Sequence, residues 1–571
     1  MKIAGFFNGH DCSYCILENG VPIIHAELER YIREKEPAGD SYGMLLDITK
    51  DIDDIDYFVV SGAAGSRNIF SHKEEWRDSY PERVGRKAPN LDKHFNNPKV
   101  ESLLAYPDEE ILQVGHHKSH AANTFFSSNL PEALIITIDG GGREESSSTW
   151  KGGRATSLTV WRGYGNKIYP ITKGFDCDDC DDSILCSNIS VGQVWSQYTS
   201  KIFELSIGHP YGHSAGTVMA MAAFGDSSRY INEMNREGIY KFCSRMETVL
   251  QDLSDEDKDK IKFDIAASLQ KWTEEKITSI VSEALKHYDT QNLCLAGGVS
   301  LNSVCLGKLL DRFNFKNIYV TPTPHDGGLT LGATQYLYHH ILDNQRIKWK
   351  DNFSPYLGQT YSNELIYNTL NTDDKILKKL SKLNYKLKYE DVTDDDILDL
   401  LENQEIISVF RGGSESGRRA LGNRSILADP RSPDMKDMIN EKVKHRQWFR
   451  PFAPSILRED VKDWFEKDVD SPYMNFVIKF KEEVRDKVPA VVHHDGSARL
   501  QTVTENDNKW YYNFIKKFQE RTGVPILLNT SFNDREPIVE NPYDAVNCFL
   551  NTNIDAVYFV DAGLLVRKEK V

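Results

Sequence analysis

The chain has 571 residues, of which 40% are hydrophobic and 27% are charged. It is too long for one hydrophobic core, because single cores stop growing at roughly 250–300 residues. Its composition is that of a globular protein, so two large domains are expected. The net charge of −16 argues against a broad grip on a nucleic-acid backbone, although a local basic site for an anion stays open.

The sequence predicts no membrane segment. No stretch approaches the ~20 apolar residues that a membrane span needs. The first apolar run is broken at Asn8, His10 and Asp11, too early for a signal peptide. The nine cysteines are scattered and odd in number, which favours free thiols in a reducing compartment. We therefore expect a cytoplasmic protein with no membrane partner.

The first third of the chain predicts two similar openings. Residues 1–36 read as strands with a hairpin turn at Asn19-Gly20. Residues 133–141 form an apolar run that ends in Asp-Gly-Gly, which predicts a buried strand followed by a tight turn, and a second hairpin pattern comes next. The two hairpin openings predict a duplicated α/β unit.

The rest of the chain predicts alternating helices and strands. Residues 256–289 have a helical period, and 292–310 read as strand, glycine turn and helix, a plan that 316–342 repeats. The polar segment 343–380 lacks a strong pattern and is the best candidate for a linker. A second α/β region follows it.

Two groups of cysteines have spacings found in zinc and redox sites. Cys12 and Cys15 lie in a predicted buried strand, where a structural role is favoured. Cys177, Cys180 and Cys186 lie in an acidic segment that reads as a surface loop. Zinc is the minority interpretation there, because three sulfurs lack an obvious fourth ligand.

Two histidines and two aspartates predict a metal site. His116 and His120 are four residues apart, which on a helix places both imidazoles on one face. Asp139 and Asp326 each end a predicted strand before glycines, and ligand sites of α/β proteins gather at the carboxyl ends of strands. Each feature alone is weak, since polar helix faces and ordinary Asp-Gly turns also produce it. Together they suit Fe²⁺, Zn²⁺ or Mn²⁺.

Glycine turns at two strand ends indicate a phosphate site. Gly140 and Gly141 follow one predicted strand, and Gly297 and Gly298 follow another, with Asn302 shortly after. Such turns let backbone N–H groups approach an anion, and the next helix would point its N-terminus there. The pattern matches neither a P-loop nor a Rossmann fingerprint. By analogy it suits the actin-like plan, in which two related lobes hold a nucleotide.

Cations gather in a short C-terminal span of this acidic chain. The span contains Arg418, Arg419, Arg424, Arg431, Lys444, Arg446 and Arg450. They are interleaved with Gly, Pro and apolar residues, a context in which arginines bind phosphate or carboxylate; the alternative is a solvated helix face. Arg499 and the strand-end group Asn529, Thr530 and Ser531 complete a predicted pocket for a nucleoside triphosphate or an acyl phosphate.

The chain resembles the NodU/CmcH-type O-carbamoyltransferases. The motifs that carry the resemblance are, in order, GHDCSYCILENG, AELERYIREK, GHHKSHAANTFF, IITIDGGG, LAGGVSLNS, PHDGGLTLGA, GRRALGNRSILADPR, VKHRQWFRPFAPS, HHDGSARLQTV and LLNTSFNDREPIV. They run from near residue 9 to near residue 540. The ordered set is far more specific than any single motif.

The resemblance implies a Kae-like domain of the actin/Hsp70 (ASKHA) type with duplicated RNase H-like lobes over 1–350, and a YrdC-like α/β domain over 370–571. The YrdC-like domain would use ATP with Mg²⁺ to turn carbamoyl phosphate into carbamoyl-adenylate. The Kae-like domain would then transfer the carbamoyl group to a hydroxyl. The residues carried over to an iron-type metal site are His116, His120, Asp139 and Asp326. Those carried over to the activating pocket are Arg419, Lys444, Arg450, Arg499, Asn529 and Ser531.

This chain departs from the family's motifs at three positions. Arg418 replaces the proline of GPRALG, Thr217 replaces the lysine of GKVMGLA, and Arg535 replaces the glycine before EPIV. The last two are expected to retune contacts with acceptor or nucleotide. Arg418 leaves Arg419 and the following motif intact, so activity is expected to persist.

The transfer step needs a base for the acceptor's hydroxyl proton. His10 or Asp11 is the candidate, on loop position and chemistry, with a packing role for His10 as an equal alternative. A divalent ion, Fe²⁺ first, would hold and polarise the adenylate phosphate.

Other functions stay open at this point. Threonylcarbamoyl transfer to tRNA conflicts with the net charge, and sugar phosphorylation conflicts with the fused activating domain. A non-enzymatic actin- or chaperone-like ATP-binding module leaves the C-terminal cations unexplained. The sequence does not identify the acceptor beyond a hydroxylated small molecule. A nucleotide or a modified DNA base is among the candidates. A homodimer is the commonest prior for assembly.

Overall fold

The computed structural model describes residues 1–49, 52–62, 97–105, 111–144, 156–172, 189–205 and 214–571. These residues divide into two compact units. The first unit comprises Met1–Ile32 and Glu36–Trp349, and the second comprises Arg33–Lys35 and Lys350–Val571.

The first unit contains two sheets and a set of helices. Its strands are β1 (Lys2–Phe7), β2 (Ser13–Glu18), β3 (Val21–Glu27), β4 (Tyr57–Ser61), β5 (Leu104–Ala105), β6 (Ile111–Val114), β7 (Glu132–Gly142), β8 (Thr156–Tyr164), β9 (Lys167–Thr172), β10 (Asn292–Ala296) and β11 (Asn317–Val320). Its described helices are α1 (Leu28–Ile32), α2 (Ser41–Thr49), α3 (His116–Ser127), α4 (Val191–Lys201), α5 (Ala215–Met221), α6 (Ser228–Glu237), α7 (Ile239–Gln251), α8 (Asp255–His287), α9 (Ser303–Arg312) and α10 (Leu329–Gln335).

The two sheets of the first unit share one topology. The first has the order β3-β2-β1-β4-β6-β5, and the second has the order β9-β8-β7-β10-β11. In each, three consecutive antiparallel strands are followed by two that continue parallel on the other side of the first strand. This repeated order is that of duplicated RNase H-like lobes, so the predicted duplication and fold class are confirmed.

Local sequence explains why the lobes open with hairpins. At the β2–β3 turn, Asn19 and Gly20 both have positive φ, 49° and 90°, as a two-residue hairpin turn requires. The second hairpin turns at Gly165, with φ 55°. Both predicted hairpins are therefore present, and the long charged helix expected over 256–289 is α8.

Two helices pack together between the sheets. Helix α3 lies on the second sheet and α10 lies on the first, and the two helices pack along each other. The approach is close, because a Cβ at Gly332 would lie 1.8 Å from the carbonyl oxygen of Ser119. The apolar core of this layer includes Phe125, Phe126 and Leu337. The core thereby holds α3, which carries the histidine pair, against the strands that carry the aspartates.

The second unit is built on one nine-stranded mixed sheet, of order β12-β20-β19-β13-β14-β18-β15-β17-β16. Its strands are β12 (Tyr385–Asp391), β13 (Ile407–Phe410), β14 (Arg424–Ala428), β15 (Ala453–Leu457), β16 (Phe476–Lys479), β17 (Ser497–Val503), β18 (Ile526–Ser531), β19 (Ala556–Phe559) and β20 (Leu564–Lys570). Its helices are α11 (Asn363–Thr372), α12 (Asp374–Leu383), α13 (Asp394–Glu402), α14 (Met435–Lys442), α15 (Val461–Trp464), α16 (Lys509–Thr522) and α17 (Pro542–Asn551). The predicted second α/β region is confirmed.

The prediction of a linker over 343–380 is wrong for its second half. Helices α11 and α12 occupy much of that segment and pack against α17. Ser362 and Asp373 cap their N-termini through side-chain hydrogen bonds, as is common for these residue types. No helix of the described residues is both long and apolar enough to cross a membrane.

Candidate functional site

The site residues of the first unit gather where strands end. His116 begins α3 directly after β6, Asp139 lies near the end of β7, and Gly298 follows β10. Asp326 begins a short 3₁₀ turn, Asp326–Gly328, between β11 and α10. His10 follows β1. The carboxyl ends of neighbouring parallel strands lie at one edge of a sheet, so residues distant in sequence meet there.

Four side chains form a cluster that fits a metal ion. One ligand atom from each of His116, His120, Asp139 and Asp326 lies within 4.8 Å of all the others. His116 Nε2 is 2.9 Å from Asp139 Oδ2 and 3.5 Å from Asp326 Oδ1. His120 Nε2 is 3.4 Å and 3.3 Å from the same two oxygens. The structure thus brings together all four predicted ligands.

These spacings are those of ligands around a common centre. Ligand atoms about 2.1 Å from one ion stand about 3.0–3.4 Å apart in octahedral or tetrahedral arrangements. The buried Nε2 of His120 also makes no hydrogen bond of good geometry with the described residues. A buried nitrogen directed at two carboxylates without a proper hydrogen bond is what a metal ligand looks like without its ion.

The charges in the cluster call for a central cation. Burial alone would lower the pKa of His120, but the carboxylates of Asp139 and Asp326 raise it to about 9. Burial alone would raise the pKa of both aspartates, yet the histidines lower it. The cluster therefore keeps its carboxylates ionised and draws positive charge between them.

His117, between the two ligands, is not part of the cluster. Its Nδ1 lies 2.6 Å from Thr137 Oγ1, and its Nε2 lies 2.6 Å from the carbonyl oxygen of Thr156. With both nitrogens paired, its ring is held as a neutral packing residue, and burial lowers its pKa to about 3.

Glycines shape the surroundings of Asp139. The N–H of Gly298 donates to Asp139 Oδ1 at 3.1 Å, which leaves Oδ2 directed at the histidines. Gly297 has φ 89°, and a Cβ there would lie 2.2 Å from the carbonyl oxygen of Ile138. A Cβ at Gly142 would lie 2.0 Å from the His116 ring. The predicted phosphate turn at Gly297–Gly298 thus also orients a cluster carboxylate.

The loop after β1 brings His10 to the cluster. His10 Nε2 is 3.3 Å from Asp326 Oδ2, the oxygen that faces away from the histidine pair, and its side chain is 39% exposed. Burial would lower its pKa, but Asp326, Asp11 and Asp139 raise it. Asp11 is buried and has a positive φ of 62°, an uncommon conformation for a non-glycine residue. His10 lies beside the cluster and Asp11 is its neighbour in sequence; the role of either residue as a base stays a prediction.

Two further parts of the predicted nucleotide site, the Gly140–Gly141 turn and Asn302, have structural partners. Ser190 Oγ donates to the carbonyls of Asp139 and Gly140, which fixes the start of the Gly140–Gly141 turn. Asn302 caps α9, with its Oδ1 accepting from the N–H of Cys305 and its Nδ2 donating to Gln270 Oε1. The Asn302 side chain is therefore used within the fold.

Four of the C-terminal cations have internal partners. Arg424 is fully buried and donates to backbone carbonyls of Arg411, Gly412 and Glu540. Arg431 forms a bidentate pair with Asp429. Arg446 donates to Asn440 Oδ1. The fourth cation, Lys444, bonds to the chain just after β18.

Two cations of this span, Arg419 and Arg450, form a mutually repelling group with Arg499 of β17, which we call the arginine cluster. Burial, then the charges of Arg499, Arg418 and Arg450, lower the pKa of Arg419 well below its usual range. Burial and Arg450 lower the pKa of Arg499 to about 10. Within the part of the chain that the structure describes, neither Arg419 nor Arg450 forms an ion pair with a carboxylate. Half-buried cations without a carboxylate partner among the described residues, as Arg419 and Arg450 are, are arranged to receive an anion.

Lys444 and Asn529 hold backbone segments of the second unit in place through hydrogen bonds. Lys444 Nζ donates to the carbonyl and side-chain oxygens of Ser531 and Asn533. Asn529 Nδ2 donates to the carbonyl of Ala420 and to Gln501 Oε1. The hydrogen bonds of Lys444 hold the end of β18 and the turn after it in place. The hydrogen bond from Asn529 to Ala420 holds the backbone next to Arg419. For Lys444, Asn529 and Ser531, a direct contact with substrate stays a prediction.

Glu415 has a role that sequence reasoning missed. It is buried, and its Oε1 accepts from the N–H groups of Leu421, Asn423 and Arg424. The loop that carries Arg419 is thus folded around a buried carboxylate. A glutamate six residues before an apolar Leu-Gly pair gave only a weak signal, because its partners are backbone groups.

The structure bears on the predicted role of two cysteines and locates two of the positions at which the chain departs from the family's motifs. The expected effects of those departures stay predictions. Cys12 and Cys15 are buried and free, as expected. The segment with Cys177, Cys180 and Cys186 lies outside the described residues. Thr217 is buried in α5, and Arg535 contacts the carbonyl of His445.

Comparison with known proteins identifies the family. The model of the carbamoyltransferase N-terminus matches residues 2–335, and that of the carbamoyltransferase C-terminus matches residues 398–567. Nodulation protein NolO of Bradyrhizobium diazoefficiens is 33% identical over 477 residues, covering 80% of this chain and 79% of that protein. Nodulation protein NolNO of Sinorhizobium fredii is 34% identical over 485 residues, covering 80% and 64%.

A third relative, an uncharacterised protein of Methanocaldococcus jannaschii, is 34% identical over 480 residues, covering 81% of this chain and 74% of that protein. Solved structures align weakly: HypF of T. kodakarensis covers 58% of this chain with 13% identity and a TM-score of 0.32. The lobes are therefore identified from strand order, and the family from sequence. The chain belongs to the carbamoyltransferase family, and the predicted resemblance and enzyme class are confirmed.

Proposed function

We propose that the chain is an ATP-dependent O-carbamoyltransferase with two separate centres. The observation that carries the proposal is the presence, in a carbamoyltransferase, of a cation-seeking cluster in one unit and an anion-seeking cluster in the other. The second unit would form carbamoyl-adenylate from carbamoyl phosphate and ATP. The first unit would transfer the carbamoyl group to an acceptor hydroxyl.

The arginine cluster suits the activation step. Both substrates carry negatively charged phosphate groups that repel each other. Arg419, Arg450 and Arg499 would offset this negative charge when both substrates are bound. Balance of atoms requires that carbamoyl phosphate, ATP and one water give carbamoyl-adenylate, pyrophosphate and phosphate. The carbamoyl carbon ends bonded to an oxygen of AMP, which is a good leaving group for the second step.

The four-residue cluster suits the transfer step. His116, His120, Asp139 and Asp326 would hold a divalent ion, Fe²⁺ in our proposal and Zn²⁺ or Mn²⁺ as alternatives. Such an ion supplies charge stabilisation for a phosphate group. The acceptor oxygen attacks the carbamoyl carbon, the bond from that carbon to the AMP oxygen breaks, and AMP leaves. His10 would take the acceptor's proton, because its Nε2 borders the cluster and its side chain is partly exposed.

The test uses the full chain with labelled ATP and carbamoyl phosphate, Mg²⁺ and Fe²⁺. The expected products are pyrophosphate and carbamoyl-adenylate, with AMP released as the adenylate reacts with water or an acceptor, and all form only when carbamoyl phosphate is present. Addition of hydroxylated metabolites, nucleotides included, should then yield a product heavier by one carbamoyl group. Formation of ADP, or ATP cleavage that ignores carbamoyl phosphate, would contradict the proposal and favour a phosphotransferase or an ATP-binding module.

A further inference from the structure

The turn that carries Asp326 is fastened to the β2–β3 hairpin at two residues. Ser13 Oγ and His25 Nε2 both lie within hydrogen-bond distance of the carbonyl oxygen of Gly327, at 2.9 Å and 2.7 Å. On the other side of Asp326, His325 Nε2 is 3.2 Å from Glu27 Oε1. All of these side chains are buried. The residues before and after Asp326 are therefore both held by one hairpin.

The pair of Glu27 and His325 also fills the space over the turn. A Cβ at Gly327 would lie 2.6 Å from Glu27 Oε1 and 2.9 Å from His325 Nε2. Only a glycine leaves room for both groups, so the carboxylate and the imidazole press directly on the backbone next to Asp326. The path of that backbone depends on where Glu27 lies.

Glu27 stays ionised in this buried place. Burial would raise its pKa, but His325, His25 and Arg30 lower it well below the usual range. Arg30 contributes from the far side, with a guanidinium nitrogen 3.9 Å from Glu27 Oε2. A buried carboxylate with partners on two sides has a fixed position, because moving it would leave charge unpaired in a low-dielectric region.

Asp326 needs such a fixed backbone. Its Oδ1 faces the two histidines at 3.5 Å and 3.3 Å, and its Oδ2 faces His10 at 3.3 Å. A small rotation of the turn would move Oδ1 away from the histidines. Asp139, in contrast, is oriented by the N–H of Gly298. The two carboxylates of the cluster are thus oriented by different parts of the fold.

We propose that Glu27, acting through His325, is a positioning residue that sets Asp326 as a ligand of the metal cluster. This inference rests on the proposed metal site, and it adds an outer group at the β2–β3 hairpin to that site. Outer groups that orient ligands commonly change metal affinity about 10–100-fold when they are removed.

The experiment measures Co²⁺ affinity of the full chain by competition with a chelator, together with the Co²⁺ absorption spectrum. Glu27→Ala should weaken binding about 10–100-fold and alter the spectrum. Glu27→Gln keeps the shape and one acceptor oxygen for His325 but loses the charge, so its affinity should fall between those of wild type and Glu27→Ala. Glu132→Ala is the matched control. Glu132 is a half-buried carboxylate at the start of β7 that accepts from the Tyr288 hydroxyl.

The outcomes separate the inference from the proposed site. If wild type binds no Co²⁺, or Asp326→Ala binds it as well as wild type, the metal site itself is wrong. If wild type binds and Asp326→Ala does not, but Glu27→Ala binds like wild type, the positioning role is contradicted. Should Glu27→Ala fail to fold, Glu27→Gln decides: affinity and spectrum equal to wild type overturn the inference. Equal losses in Glu132→Ala would show general destabilisation and overturn it too.

Discussion

The two units concentrate charge in opposite ways. In the first, His116 and His120 face Asp139 and Asp326, so every ring has a carboxylate nearby. In the second, the arginine cluster consists of like charges that lower one another's pKa. The first arrangement therefore attracts a cation, and the second attracts an anion.

The class of ligand that each region attracts follows from the charges of the neighbours around each ionised side chain. A count of charged residues describes both regions as equally polar. When each charged group is assigned its partner, the first region attracts a cation and the second attracts an anion. Of the C-terminal cations, Arg424, Arg431 and Arg446 have partners within the fold. Lys444 also bonds within the fold, and its contact with substrate stays a prediction. Arg419, Arg450 and Arg499 then form a small group with lowered pKa values. Groups with strongly shifted pKa values gather at functional sites.

The largest effect should come from breaking the first cluster. Asp326→Asn removes one of the two negative charges that raise the pKa of His120 and should abolish binding of a stoichiometric divalent ion, and with it carbamoyl transfer. Metal content after anaerobic loading with Fe²⁺ measures this. His287→Ala, a change at a histidine at the end of α8, should keep full metal content. Retained metal in Asp326→Asn would contradict the ligand assignment.

A large effect is also expected from the second cluster. Arg419→Ala removes a half-buried cationic donor and should lower the rate of carbamoyl-phosphate-dependent ATP cleavage roughly 10²–10³-fold, as loss of one charge-stabilising donor does elsewhere. Steady-state AMP release is the measurement, with Arg431→Ala as control, because Arg431 is already paired with Asp429. Equal rates for wild type and Arg419→Ala would remove the arginine cluster from catalysis.

The comparison also predicts stability changes of opposite sign. Arg419→Met relieves repulsion among half-buried cations. It should raise the free energy of unfolding of the ligand-free protein by about 1 kcal/mol, and its melting temperature by roughly 2–4 °C. Asp139→Ala leaves Asp326 as the one carboxylate beside the two buried histidines and should lower the melting temperature. Calorimetry of metal-free and nucleotide-free protein checks both signs. A lower melting temperature for Arg419→Met would mean that Arg419 has a stabilising partner.

The smallest effect is expected at Arg418. This residue stands where the family has proline, and its charge acts on Arg419. Arg418→Pro should raise the KM for ATP or carbamoyl phosphate roughly 2–5-fold, the scale of a partly exposed charge, with kcat little changed. Initial-rate kinetics at two salt concentrations test this. A loss of kcat instead would place Arg418 in the chemical step.

Much of the first site was predictable because it depends on local rules. The i, i+4 spacing placed His116 and His120 on one helix face, and Asp-Gly pairs at strand ends located both aspartates. What could not be predicted is how each carboxylate is oriented. The Gly298 N–H contact spans 159 residues of sequence, and the Glu27–His325 contact depends on the packing of the hairpin.

The second site was predictable in composition but not in detail. The contacts of Lys444 with Ser531 and Asn533, 87 and 89 residues away, are revealed by no local pattern, and its predicted contact with an anion stays a prediction. Two structural roles did have a local signal. Asn302 directly precedes a helix and is a favoured cap, while its contact with a nucleotide stays a prediction. In the wrongly predicted linker, Ile376 and Leu380 have the helical spacing of an amphipathic segment.

The central claim is that activation and transfer use separate clusters. Carbamoyl-phosphate-dependent exchange between ATP and labelled pyrophosphate, measured side by side in Asp326→Asn and Arg419→Ala, tests it most directly. The account predicts that exchange persists near the wild-type rate in Asp326→Asn and is lost in Arg419→Ala. Loss of exchange in both variants, or in Asp326→Asn alone, would contradict the division of labour between the two units.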